Sequence, residues 1–65
     1  MSGSSGFEVQ GRGNNTYLVR ERWKDKRYQG WEALLLIGFR WTDTGYYGAT
    51  AEEVLRKLRA DGKIA

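Results

Sequence analysis

The chain has 65 residues, with eleven Lys and Arg against eight Asp and Glu, which gives a formal net charge of +3. A chain of this length builds one modest core, and because it contains neither cysteine nor histidine it has no disulfide, no thiol nucleophile and no imidazole base or metal ligand. These absences exclude most catalytic and metal-binding arrangements. We therefore expect a small, non-catalytic binding module that needs no cofactor and no metal.

The basic residues are concentrated in the middle of the chain. Between Gly11 and Trp41 there are seven basic residues against three acidic ones, so attraction to phosphate or to an acidic protein is possible. No run of about eighteen apolar residues is present, and no leader resembles a signal peptide. We expect an intracellular protein, cytoplasmic or associated with the nucleoid or nucleus, that does not bind a membrane.

The composition divides the chain into three parts. Residues 1–6, Met-Ser-Gly-Ser-Ser-Gly, resemble an expression tag, since such a tract buries nothing. Residues 7–15 are rich in Gly and Asn and predict a flexible arm. Residues 16–65 then form a single domain.

Two strands are predicted next. The segment from Thr16 to Trp23 is rich in β-prone residues, and its alternation places Arg20 and Arg22 on the face opposite Trp23. The polar segment 24–30 predicts a hairpin loop longer than two residues. Residues 31–41 follow as a central strand; the Leu-rich run also suits a helix, but the aromatic content and the bounding turn signals favour a strand.

The alternation of the central strand separates two faces. One face is apolar throughout and is predicted to face the core: Trp31, Ala33, Leu35, Ile37, Phe39 and Trp41. The other face carries Leu34 and Leu36. Residues 42–45, Thr-Asp-Thr-Gly, predict a turn, and a short third strand begins at Tyr46.

A helix follows the third strand. Thr50 and Glu53 have the spacing of a capping box, in which the Thr50 hydroxyl accepts from the Glu53 N–H and the Glu53 carboxylate accepts from the Thr50 N–H. Apolar residues then recur at helical spacing, and Gly62 is suited to the position after the helix end. The predicted fold class is α+β, a three-stranded antiparallel β-sheet packed against one C-terminal α-helix (β-β-β-α).

Several short motifs in this order carry a family resemblance. They are Val-Arg-Glu-Arg-Trp at 19–23, Trp-Glu-Ala at 31–33, Gly-Tyr-Tyr at 45–47 and Thr-Ala-Glu-Glu-Val at 50–54. Together they resemble the AP2-type DNA-binding domains and the arm-binding domains of tyrosine integrases. The resemblance spans about residues 17 to 58 and implies the same sheet-and-helix fold.

The resemblance also implies how the chain binds double-stranded DNA. In these families the free sheet face enters the major groove, so Arg20 and Arg22 would contact bases and phosphates while Trp23 flanks the backbone. The predicted nucleic-acid-binding residues are Arg12, Arg20, Arg22, Trp23, Lys24, Lys26, Arg27 and Arg40.

One departure from the family pattern supports a different function. Plant members of the family place an acidic and a basic residue on the DNA-facing side of the second strand, where this chain has Leu34 and Leu36. Leucines form no hydrogen bond with a base edge, and an exposed apolar patch usually marks contact with another protein. The alternative is therefore a protein–protein interaction adaptor that docks through Leu34 and Leu36.

Overall fold

The computed structural model describes residues 6–65. The predicted tag, residues 1–6, therefore lies outside the described residues except for Gly6. Strands β1 (Gly6–Gln10), β2 (Thr16–Lys24), β3 (Arg27–Ile37) and β4 (Arg40–Gly48) are followed by one helix, α1 (Ala51–Ala60). The strands form one antiparallel sheet in the order β1-β2-β3-β4. The α+β class with a C-terminal helix is confirmed, but the sheet has four strands instead of three.

The additional strand is β1, which lies in the segment that we predicted to be a flexible arm. Its residues pair with β2 from Gly6 opposite Arg20 to Gln10 opposite Thr16. The sequence signal is weak here because only Phe7 and Val9 are apolar in this stretch. This segment is a strand because its backbone groups pair with the edge of β2. Any residue except proline can supply both the donor and the acceptor for such pairing.

The hairpin between β2 and β3 is tighter than the predicted long loop. Lys24 pairs with Arg27, so Asp25 and Lys26 alone form the turn. Both residues have positive φ, 52° and 64°, which is the pattern of the type I′ turn that joins twisted antiparallel strands. The basic hairpin tip is therefore a short, defined structure.

The second predicted turn, at residues 42–45, also differs from the structure. The chain reverses at Gly38 and Phe39, with Ile37 paired to Arg40. Gly38 has a φ of 63°, which glycine adopts without the steric cost of a side chain. The predicted turn at 42–45 is instead an irregularity inside β4, where the register shifts opposite Ala33 and the Thr44 hydroxyl donates to the Ala33 carbonyl at 2.8 Å.

The core lies between α1 and one face of the sheet, the helix-side face. The residues that form it are buried and apolar: Tyr17, Val19, Ala33, Val54, Leu58 and Ile64. Trp31 and Leu35 pack against this cluster as predicted, but Ile37, Phe39 and Trp41 are exposed. Trp41 pairs with Leu36 because the chain reverses between them, so it lies on the opposite face from the one predicted.

Both ends of α1 are capped by hydrogen bonds with residues that lie close to it in the chain. The Thr50 hydroxyl accepts from the Glu53 N–H at 3.1 Å as predicted, whereas the Glu53 carboxylate accepts from the N–H of Ala49 rather than that of Thr50. At the other end the N–H of Lys63 donates to the Leu58 carbonyl, and the N–H of Gly62 donates to the Arg59 carbonyl. These two bonds form a Schellman motif, in which Gly62 has a φ of 73°.

Thr50→Ala is expected to lower the free energy of unfolding by about 0.5–2 kcal/mol, because the Glu53 N–H at the helix start loses its acceptor. Thr50→Ser is the matched control, since it keeps the hydroxyl and is expected to cost less. Urea denaturation followed by circular dichroism measures both. Equal stability of the alanine variant and the parent would show that this cap does not stabilise the helix.

Candidate nucleic-acid interface

The sheet face that α1 leaves uncovered, the open face, has a buried carboxylate between two arginines. Arg20 on β2 pairs with Glu32 on β3, and its Nε donates to Glu32 Oε2 at 3.0 Å. The Nε of Arg22 lies 3.9 Å from the other carboxylate oxygen of Glu32. Because alternate residues of a strand share a face, the sequence correctly predicted that the two arginines lie together.

Glu32 holds the two arginines in place while they remain accessible. The Glu32 side chain is only 11% exposed, whereas the side chains of Arg20 and Arg22 are 47% and 41% exposed. A buried carboxylate without a partner lowers the stability of the fold, so Glu32 requires the two arginines. In turn, Glu32 orients their guanidinium groups. The arrangement presents two half-exposed guanidinium groups in a fixed position on the open face.

Tyr47 on β4 extends this cluster. The Arg22 guanidinium carbon lies 4.3 Å from the centre of the Tyr47 ring, a cation–π contact. The Tyr47 hydroxyl donates to Asp43 Oδ2 at 2.7 Å. This hydrogen bond, with a further one from the Gly45 N–H, lowers the pKa of Asp43, and the same bond to Asp43 raises the pKa of Tyr47.

The charges of this cluster are balanced. The positive charges of Arg20 and Arg22 are matched by the carboxylates of Glu32 and Asp43. The open face therefore has little net charge at its centre. Its positive charge must come from residues nearer the β2–β3 turn.

The remaining basic residues of the β2–β3 hairpin provide this positive charge. Lys24 follows Arg20 and Arg22 at alternate positions of β2, and it pairs directly with Arg27 on β3. Cross-strand partners lie on the same face of a sheet, so both side chains continue the open face toward the turn. Lys26 lies in the turn itself. Five of the eight predicted residues therefore lie together along one hairpin.

The other three predicted residues lie elsewhere. Trp23 is on the helix-side face, where its ring contacts that of Tyr28. Arg12 lies in the loop between β1 and β2, and its backbone N–H donates to the Lys63 carbonyl. Arg40 begins β4 beside the β3–β4 turn, which is at the same end of the sheet as Arg12 and at the opposite end from Lys26.

The two leucines predicted as a docking surface differ in exposure. Both lie on the open face, as the alternation predicts, since Leu34 pairs with Leu18 and Leu36 pairs with Trp41. Leu36 is 38% exposed, but Leu34 is only 5% exposed. A central strand has neighbours on both sides, whose side chains cover Leu34. Leu34 therefore offers almost no surface for a partner.

Sequence reasoning missed three members of the cluster, the carboxylates of Glu32 and Asp43 and the ring of Tyr47. A signal for Glu32 was present, because alternation places it on the same face as Leu34 and opposite charges favour cross-strand pairing with the arginines. No comparable signal points to Asp43, because its sequence neighbours predict a turn. Its contact with Tyr47 depends on the register shift within β4.

No helix among residues 6–65 has both the length and the apolar character needed to cross a membrane. Comparisons of the chain with protein-family models, with curated proteins and with solved structures found no match. The resemblance to the AP2-type and integrase arm-binding domains therefore stays a prediction from the sequence.

Proposed function

We propose that this chain is a non-catalytic module that binds double-stranded DNA with the open face of its sheet. The observation that carries the proposal is the set of basic side chains along the β2–β3 hairpin on the face that α1 leaves free. The set consists of Arg20, Arg22, Lys24, Lys26 and Arg27. This hairpin agrees with the sequence resemblance to sheet-type DNA-binding domains.

The shape of the hairpin supports a groove as the binding site. The major groove of B-form DNA admits a two-stranded β-ribbon, and β2 and β3 form such a ribbon that ends in a turn of two residues. The tight turn keeps the basic tip narrow. Half-exposed guanidinium groups farther along the ribbon then lie where they can contact base edges or phosphates.

The charge balance predicts the strength of the electrostatic contribution. Because Glu32 and Asp43 balance the two arginines, the net attraction to phosphate comes mainly from Lys24, Lys26 and Arg27, whose positive charges outnumber the one negative charge of Asp25 in the turn. Each phosphate contact contributes about 0.9 to the slope of log K against log salt concentration. For two to five contacts we expect a slope of about −2 to −4.5.

The proposal is tested by titrating the ¹⁵N-labelled chain with a random-sequence duplex at low salt. We expect backbone resonances of Arg20, Arg22 and the β2–β3 turn to shift, and those of α1 to stay in place. Repeating the titration at increasing salt gives the slope. If no resonance shifts at low salt, or only those of α1 shift, the proposal is wrong.

A second candidate function is protein docking through the apolar residues of the open face. Its support is Leu36 and the paired Trp41, both partly exposed, with the exposed Ile37 and Phe39 beside them at the β3–β4 turn. Docking of this kind is insensitive to salt, unlike DNA binding. Leu36→Ser, in sedimentation experiments at high salt, is expected to reduce any association that this surface produces.

A further inference from the structure

A second group of side chains lies on the helix-side face, away from the proposed DNA-binding residues, and it combines exposed with partly buried members. It consists of Phe7, Glu21, Trp23, Tyr28 and Trp31, which we call the aromatic patch. Glu21 pairs with Trp31, and Trp23 pairs with Tyr28, on neighbouring positions of β2 and β3. The Tyr28 hydroxyl donates to the Ala49 carbonyl at 3.2 Å, so the patch lies beside the segment that leads into α1.

The rings of the patch are tilted against one another, and those of Phe7, Trp23 and Tyr28 belong to exposed residues, whereas Trp31 is partly buried. The Trp23 and Tyr28 rings have centroids 5.7 Å apart and planes at 70°, an edge-to-face pair. The Phe7 and Trp31 rings are 6.4 Å apart at 49°. Trp23 is 55% exposed and Tyr28 is 49% exposed. The DNA-binding proposal uses none of these ring faces.

Glu21 provides a negative charge within the patch. Its Oε1 accepts from the indole Nε1 of Trp23 at 3.3 Å, which holds the carboxylate beside this ring pair. Within residues 6–65 Glu21 forms no ion pair, in contrast to Glu32 and Glu53. The patch therefore combines electron-rich ring faces with a carboxylate that has no cationic partner among the described residues.

We propose that the aromatic patch binds a weakly hydrated cationic side chain of a peptide, an arginine or a methylated lysine. Ring faces attract such a cation, and a carboxylate adds charge complementarity. The same rings suit base stacking in single-stranded nucleic acid, but the Glu21 carboxylate repels the phosphates that accompany the bases. Lys24 and Arg27 are neighbours of Trp23 and Tyr28 in the chain, but they lie on the open face, and Lys26 lies in the turn. On the helix-side face the charge of Glu21 therefore favours the peptide cation. This site is independent of duplex binding by the open face.

The test uses three blocked pentapeptides that differ only at the central residue, which is arginine, trimethyllysine or norleucine. The Nε1–H resonances of Trp23 and Trp31 are followed during each titration. We expect both cationic peptides to shift these resonances and the neutral norleucine peptide to leave them unchanged. Trp23→Ala is expected to weaken binding by about 2- to 30-fold, the range of a cation–π contact.

Glu21→Gln is the matched variant, because it keeps the shape of the side chain and removes its charge. It is expected to weaken binding of both cationic peptides several-fold, while Arg20→Lys on the open face has no effect. Unchanged methyl resonances of Val54 and Leu58 show that each variant is folded. Equal binding of the norleucine peptide, no effect of Glu21→Gln, or tighter binding of an oligothymidine at the same indole resonances would each overturn the proposal.

Discussion

Removing Arg20 and Arg22 is expected to weaken duplex binding and to make the log–log salt slope less steep by about 1.8, or about 0.9 for each lost phosphate contact. If either arginine also reads a guanine, a preferred sequence should lose a further 1–3 kcal/mol or so relative to random DNA. Fluorescence anisotropy with a labelled duplex over a range of salt concentrations measures both effects. An unchanged slope would mean that Arg20 and Arg22 do not contact phosphate.

The structure determines how this variant must be built. Replacing both arginines by alanine in the parent would leave Glu32 buried without a partner, and the resulting instability could hide the effect on binding. The comparison should therefore be made between Glu32→Gln alone and Glu32→Gln combined with Arg20→Ala and Arg22→Ala. Lys24→Ala with Arg27→Ala is a second test of the open face, which removes the same charge but leaves Glu32 paired.

Leu58→Ala is expected to lower the free energy of unfolding by about 2–5 kcal/mol, because the change leaves a cavity between α1 and the sheet. Leu58 is fully buried and is among the largest completely buried side chains of the described chain. A domain of this size has a total stability of roughly 3–10 kcal/mol, so the variant should be largely unfolded or close to it. Urea denaturation followed by tryptophan fluorescence measures the loss.

Leu36→Ala is the matched control for this prediction, since the same atoms are removed from a partly exposed site on the open face. It is expected to cost much less than Leu58→Ala. If the two variants lost similar amounts of stability, the conclusion that α1 packs on the helix-side face would be wrong. Leu34→Ala is not a suitable control, because Leu34 is nearly as buried as the core despite lying on the open face.

The sequence by itself determined the features that depend on neighbours along the chain. The cap at Thr50 and the Schellman motif at Gly62 each use groups within a few residues, so their spacing is visible in the sequence. The pleat of a single strand likewise placed Arg20 with Arg22 and Leu34 with Leu36 on the face that α1 does not cover. The presence of the helix, and the side chains that each strand presents on the open face, follow from these local patterns.

Pairing between strands decided the rest. Strand β1 exists because it adds to the edge of β2, and the turn signal at 42–45 became an irregularity within β4 because β3 supplies partners on both sides of it. The reversal at Gly38 then moved Trp41 to the face opposite the one that continuous alternation predicts.

The same pairing assembled the candidate site. Glu32 lies between Arg20 and Arg22, and Tyr47 contacts Asp43, only because the registers of β2 with β3 and of β3 with β4 bring them together. A register depends on the free energy of the whole sheet and its core, and a shift of one residue would exchange the two faces. The sequence therefore predicts which side chains a strand presents, and the tertiary structure decides which of them meet.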